Sequence, residues 1–417
     1  MIKVKLSDLA HIKMGQSPQG ETCNEYGDGI PLLNGPSEFT SFYPIPKQYT
    51  NDPKKICQES DILFCVRGST TGRMNWADKK YAIGRGLASI SHKKCEEFNH
   101  FLKYLIEYNL DSILKLTSGS TFPNLTNDNL ALYEFYVPEI EVQKKISSFL
   151  SNLDSKIELN NRINTELEAM AKTLYDYWFV QFDFADANGK PYKTSGGKMV
   201  WNAELKREIP EGWAVKTLLD IANFVNGLAC QKFRPKENES SYRVIKIREM
   251  GTGFTENSEF VSRNIPEKVV IHNGDILFSW SATLDVKIWT GRTGALNQHI
   301  FKITSKDFPK SYYYFELLNY LEHFKMQAEL RKTTMGHITQ DHLKQSRITI
   351  PPSDLIHKLD EILKPILEKK VKLEEENQEL ASVRDWLLPM LMNGQVRVSE
   401  VVEELGMVAE KGERYGK

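Results

Sequence analysis

The sequence predicts an α+β protein, with two pseudo-repeated mixed α/β globules separated by a long antiparallel two-helix coiled coil. Three observations predict it. First, Val142 to Trp178 carries an apolar seam that steps by four and three: Ile146, Leu150, Leu153, Ile157, Asn160, Asn164, Leu167, Ala171, Leu174 and Trp178. That alternation keeps one stripe on one side of a helix underwound to ~3.5 residues per turn. Second, the same phase returns 213 residues later as Leu359, Leu363, Ile366, Lys370, Leu373, Asn377, Leu380, Arg384, Leu387 and Leu391. Third, the segments before the two helices also match. Leu6-Ser-Asp-Leu-Ala answers Leu218-Leu-Asp-Ile-Ala, and Gly15 answers Gly227. Ser60-Asp-Ile-Leu-Phe answers Gly274-Asp-Ile-Leu-Phe, and Thr126-Asn-Asp-Asn-Leu130 answers Thr339-Gln-Asp-His-Leu343. This is a tandem duplication of globule plus helix.

In chain order, residues 1–140 form the first globule. Short β-type runs (Ile30 to Leu33, Asp61 to Arg67, Leu132 to Val137) alternate with glycine-bearing loops, and a helix is expected from Phe98 to Leu116. Residues 141–181 are the first long helix, which Pro138 precedes harmlessly. Residues 182–210 are a connector, polar from Asp183 to Gly197. Residues 211–352 are the second globule, with its helix at Tyr312 to Arg331. Residues 353–398 are the second long helix, and 399–417 a frayed acidic tail. If the helices pack along their shared seam, the second must run back against the first. At this length each spans roughly 50–60 Å, with the globules at opposite ends about an approximate two-fold axis. The same register sets Asn160 against Asn377. It lays Lys370 and Arg384 against Leu167 and Leu153, with their charged heads reaching outward.

Composition narrows the function classes. With 41% hydrophobic and 26% charged residues the chain has the balance of a soluble globular protein. No apolar run approaches the ~20 residues of a membrane span, and Met1-Ile-Lys-Val-Lys has no long apolar core. The five cysteines lack a CxxC pair, which fits reduced thiols; a cytoplasmic protein is expected. Catalytic signatures are absent: there is no GxxxxGK[ST] loop, no GxGxxG after a strand, no HExxH and no close His/Cys cluster. With a net charge of −1, any polyanion must be held by local patches.

The repeated Asp-Ile-Leu-Phe reads as a buried strand with its aspartate accepting turn N–H groups. The loops around it are richer in groups that donate to phosphates or base edges. In the first half these are Arg67, Ser69, Thr70, Arg73, Asn75, Arg85, Ser120 and Thr121. In the second they are Lys246, Arg248, Trp280, Ser281, Arg292, Asn297, Gln298, His299, Arg331, Lys332, Thr333 and His337. They fall at matching places while their content differs, as expected of two related modules that read two different sequences. A protein-interaction scaffold with two adaptor globules, and an enzyme with an unrecognised site, fit the same residues. The scaffold predicts no salt-sensitive DNA binding, and the enzyme predicts turnover by the chain alone.

Gly-Asp-Ile-Leu-Phe, then Ile-Thr-x-x-x-Leu, then Ile-Pro-Pro leading into a long helix, all in duplicate, resembles the specificity subunit of type I restriction–modification systems. Phe182-Asp-Phe, Lys190-Pro-Tyr, Ser195-Gly-Gly-Lys-Met-Val-Trp201 and Ile209-Pro-Glu-Gly-Trp213 strengthen the resemblance, which runs to about Val398. One departure is Val137-Pro-Glu where the second half has Ile350-Pro-Pro. The resemblance implies that each globule is a target recognition domain for one half of a split site in double-stranded DNA, and that the helices are spacers. It implies two modification (methyltransferase) subunits and two restriction (ATP-dependent translocase and endonuclease) subunits as partners. S-adenosylmethionine and ATP with Mg then belong to those partners, and this chain carries no cofactor and no catalysis. Tyr175, Tyr177, Phe179, Trp386 and Met390 fall at outward-facing helix positions more apolar than a solvated helix end should be, and are candidates for docking the modification subunits.

Overall fold

The structure, a computed structural model, describes residues 1–117, 123–330 and 338–401, the side chains of 328–330 excepted. The chain divides into two compact units. The first comprises Met1–Glu158 with Glu379 onward, and the second Leu159–Gln378. Each contains one α/β globule and a stretch of both long helices.

In the first unit a four-stranded antiparallel sheet runs in the order Ala10–Met14, Leu87–His92, Ile62–Cys65, Met74–Trp76. Ile62–Cys65 is buried along its whole length, because both faces of this sheet are covered, so it reads as a continuous apolar run rather than an alternating one. A second, five-stranded sheet contains a parallel pair, Ile30–Leu33 beside Tyr81–Ile83, with Gln48–Thr50 antiparallel to the former. Ile2–Lys5 pairs with Glu134–Val137. The expected helix from Phe98 to Leu116 is broken into Asn99–Tyr108 and Leu110–Leu114.

The second unit repeats this plan. Its antiparallel sheet is ordered Asn223–Asn226, Ile300–Thr304, Ile276–Ser279, Asp285–Ile288. Its mixed sheet holds the parallel pair Ser241–Ile245 and Gly294–Leu296, and Ala214–Lys216 pairs with Ile348–Ile350. The helix Lys310–Leu330 is continuous here. The repeated aspartates act alike. Asp61 accepts from Gln58 N at 2.8 Å and Asp275 from His272 N at 2.8 Å, each closing the turn into its buried strand. Thr126 and Thr339 begin their short helices with reciprocal capping boxes.

The first long helix spans Ile140–Tyr175 and ends in a wider turn at Asp176–Val180; the second spans Ser353–Met392. Within the first unit Arg384 Nη1 meets Asp154 Oδ1 at 2.7 Å, and Ile146, Leu150, Leu387 and Leu391 share one core. Within the second, Asn160 Nδ2 donates to Asn377 Oδ1 at 3.0 Å and Lys370 Nζ to Glu168 Oε2 at 2.9 Å. In the second unit the numbers rise along one helix as they fall along the other, so the helices are antiparallel there. The charged heads of Lys370 and Arg384 do not reach outward as expected. Each turns to a carboxylate on the facing helix, and Asp154 is buried and also takes the Tyr104 hydroxyl at 2.5 Å.

Two of the docking positions are corrected. Tyr175 and Phe179 are buried in the second unit's core: the Tyr175 ring stacks on Phe315 at 5.2 Å and its hydroxyl donates to Glu316 Oε1 at 2.6 Å. The helix Lys310–Leu330 covers this face, so apolar residues there satisfy the chain's own core. Met390 is half-buried against the first unit's core. Tyr177 and Trp386 are exposed, the latter at 66%. Of the expected acidic tail, Val401 is buried in the first unit, and residues 402–417 lie outside the described residues.

Candidate nucleic-acid interface

Four backbone segments converge in each unit on the loop that follows the buried Asp-Ile-Leu-Phe strand. In the first unit Val66 N donates to Gly86 O at 2.9 Å, which sets the chain at Arg67 beside the chain at Arg85. Gly68 N donates to Pro123 O and Leu125 N to Val66 O, both at 2.9 Å, and bring in a third segment. Gly15 N to Leu87 O (2.8 Å) and Gln16 N to Ile83 O (2.9 Å) bring in the fourth. In the second unit Trp280 N donates to His299 O at 3.3 Å, Ile338 N to Trp280 O at 2.9 Å, and Gly227 N to Ile300 O at 3.1 Å.

The matched glycines explain how these segments come so close. A Cβ at Gly15 would lie 2.2 Å from Gly84 O, and one at Gly227 would lie 2.2 Å from Asn297 O. Only glycine lets the backbones approach this far.

On this common frame the side chains differ. The first unit presents Arg67, Ser69, Arg73 and Arg85 exposed, with Thr70 half-buried. Arg67 Nε donates to Asn124 Oδ1 at 3.2 Å, and none of the three arginines forms an ion pair among the described residues. The second unit presents Trp280, Gln298 and His299 half-buried and Arg292 exposed. The Trp280 indole lies 5.6 Å from the His299 ring and its Nε1 donates to Asn226 Oδ1 at 3.3 Å. Arginine and glutamine at Arg85 and Gln298 therefore occupy one structural position with different hydrogen-bonding chemistry.

Three predicted residues are turned inward. Asn75 is buried, its amide donating to Thr40 O at 2.8 Å and accepting from Trp76 N at 2.9 Å. Asn297 is buried and accepts from His299 N at 3.4 Å. Ser281 is buried, its carbonyl accepting from Ser279 Oγ. The Asn75 and Asn297 side chains satisfy local backbone, and all three residues are less than a tenth exposed. Lys246 is paired with Glu259 at 2.5 Å, and Arg248 holds the buried Glu249 through Nε and Nη2 at 3.0 and 2.6 Å. Ser120, Thr121, Arg331, Lys332, Thr333 and His337 lie outside the described residues.

One pair escaped the sequence reading. Asn34 Nδ2 donates to Gln48 Oε1 at 2.9 Å, beside the Arg85 loop. No motif marks it, because the two residues meet only through strand register.

Among the described residues no group of histidines, cysteines and carboxylates could hold a metal ion, and no helix is long and apolar enough to cross a membrane. The thiols of Cys57 and Cys230 are pushed up by burial to about 12 and about 11, so they stay protonated core groups near neutral pH.

The family model for the type I restriction modification DNA specificity domain matches residues 1–169 and 210–382. The type I restriction enzyme MjaIX specificity subunit of Methanocaldococcus jannaschii is 26% identical over 420 residues, covering 95% of this chain and 94% of that protein. The HindI specificity subunit of Haemophilus influenzae is 25% identical, covering 84% and 89%. The crystal structure of a type I restriction–modification S subunit from M. genitalium has the same fold. Its TM-score is 0.54 at 15% identity, covering 94% of this chain and 95% of that one.

Proposed function

The chain belongs to the type I restriction–modification specificity subunits, and we propose that it reads a bipartite, asymmetric target in double-stranded DNA, one half through each unit. Its long helices serve as an antiparallel coiled-coil spacer, and the chain scaffolds two modification and two restriction subunits. Methyl transfer from S-adenosylmethionine and ATP- and Mg-dependent cleavage belong to those partners, while this chain supplies the address.

The observation that carries the reading is one backbone frame, built twice, with different side chains on it. Arg85 in the first unit answers Gln298 in the second, and Val66 answers Trp280. A scaffold that only bound proteins would have no reason to vary the loops while keeping their frame. Arginine suits guanine O6 and N7, and glutamine suits adenine N6 and N7, so the exchange changes the base read and not merely the affinity.

The test is binding of labelled duplex by the chain assembled with a modification subunit, across a salt series. Arg85→Ala should cost about 1–3 kcal/mol at one half-site and leave the other unchanged, and Gln298→Ala should do the converse. Salt-insensitive binding, or equal loss at both halves from either substitution, overturns the proposal.

A further inference from the structure

The amide pair of Asn34 and Gln48 has a counterpart in the second unit that differs in charge. Leu33 pairs in parallel with Ile83, and Leu32 is antiparallel to Gln48. Ile245 pairs in parallel with Leu296, and Val244 N donates to Glu259 O at 2.8 Å. By register Leu32 matches Val244, so Asn34 matches Lys246 and Gln48 matches Glu259. Both pairs are bonded across the same two strands: Asn34 Nδ2 to Gln48 Oε1 at 2.9 Å, and Lys246 Nζ to Glu259 Oε1 at 2.5 Å.

Both also flank the loop described above. Gly84 N donates to Leu33 O at 2.8 Å, and Asn297 N to Ile245 O at 3.0 Å. Cβ atoms added to Gly84 and Gly86, on either side of Arg85, would come within 2.7 Å of Asn34 Oδ1 and 2.5 Å of Asn34 O. The pair is therefore fixed against Arg85 by backbone contacts. In the first unit it lines an open cleft of about 330 Å³ shared with Ser17 and Glu25. The pairs are reachable from solvent: Asn34 is exposed, and the Lys246 and Glu259 side chains are 40% and 57% exposed.

A phosphate is a poor occupant of either place, since Glu25 or Glu259 puts a carboxylate beside it. A base edge fits better. Two neutral amides offer a donor and an acceptor side by side, as the N6 and N7 edge of adenine requires. A lysine–glutamate pair offers a donor to guanine O6 and N7 and an acceptor to cytosine N4. We propose that these cross-strand pairs are specificity-determining positions, with Asn34 and Gln48 reading an A·T pair and Lys246 and Glu259 a G·C pair. This rests on the reading of the chain as a DNA specificity subunit.

The test exchanges the pairs in the full chain assembled with its modification subunit and selects bound duplexes from a randomised library. Asn34→Lys with Gln48→Glu should turn one A·T preference in one half-site into G·C, by between about fivefold and a hundredfold, and leave the other half-site untouched. Lys246→Asn with Glu259→Gln should do the reverse in the other half. If either exchange lowers the melting temperature, Gln48→Met and Glu259→Gln alone should relax the same single positions. Unchanged preferences at every position, with wild-type selectivity intact, overturn the assignment of these pairs alone. Absence of any sequence preference in the unmodified complex overturns the DNA-reading proposal beneath it as well.

Discussion

Replacing both Asn160 and Asn377 with leucine should stabilise the protein while loosening what the helix pair specifies. Asn160 is fully buried and Asn377 nearly so. Asn160 Nδ2 reaches Asn377 Oδ1 and Glu376 Oε2, each at 3.0 Å, and Asn377 Nδ2 reaches Asn161 Oδ1 at 2.8 Å. Asn160 Oδ1 is buried with no hydrogen-bond partner among the described residues. The three bonds contribute a net ~0.5–1.5 kcal/mol apiece, and the unpaired oxygen costs about 1–3 kcal/mol. Two buried leucines contribute ~1.5–3 kcal/mol each. The midpoints of these ranges favour the double variant by about 3–4 kcal/mol, at the upper end of the range for replacing buried polar pairs by apolar ones. For a unit of this size that raises the melting temperature by roughly 6–16 °C. Each single variant strands a polar partner, so the two changes should be coupled by about 1 kcal/mol or more in a double-mutant cycle. The amide layer penalises slipped registers, in which an amide would face a leucine. The double variant assembled with its modification subunit should therefore discriminate less between half-site spacings in a methylation assay. A double variant no more stable than wild type refutes the energetics. An unchanged spacing preference refutes the register role.

Glu316 is buried and its carboxyl is raised from 4.5 to about 7, chiefly by desolvation; Asp176 adds to the rise, while the Tyr175 hydroxyl and Arg207 oppose it. Between those values the folded state holds a proton that the unfolded state has released, so this group's stabilisation is lost as pH rises from about 4.5 through 7. Glu316→Gln should be more stable than wild type at pH 8 by on the order of 3 kcal/mol, with the gap closing near pH 4, as melting curves across pH would record. In the first unit, Asp154→Ala should cost about 3 kcal/mol in denaturant unfolding, because it leaves the Arg384 guanidinium and the Tyr104 hydroxyl without their shared acceptor. Gly15→Ala and Gly227→Ala should each cost about 1–3 kcal/mol by overpacking against the facing carbonyl. In footprinting or methylation assays each should impair one half-site and spare the other.

The repeated plan was legible because its signals are local. The heptad seams, the Asp-Ile-Leu-Phe strands and the Thr126 and Thr339 caps each lie within one stretch of chain. Their structural counterparts fall within a few residues of the expected places. Burial of Tyr175 and Phe179 was not legible, because it depends on a helix about 140 residues away, Lys310–Leu330, folding over them. The inward turn of Asn75 and Asn297 was hidden for a related reason. A polar side chain reads as surface until the backbone groups it satisfies are known. Asn34 and Gln48 meet only through strand register, which no motif in the sequence marks.

The central claim, that two units read two separate half-sites, is tested most directly by selecting bound duplexes from a randomised library with the chain and its modification subunit. Two specific blocks separated by a fixed sequence-neutral gap are expected, with Arg85→Ala relaxing positions in one block only. A single contiguous motif, or relaxation of both blocks together, would contradict it.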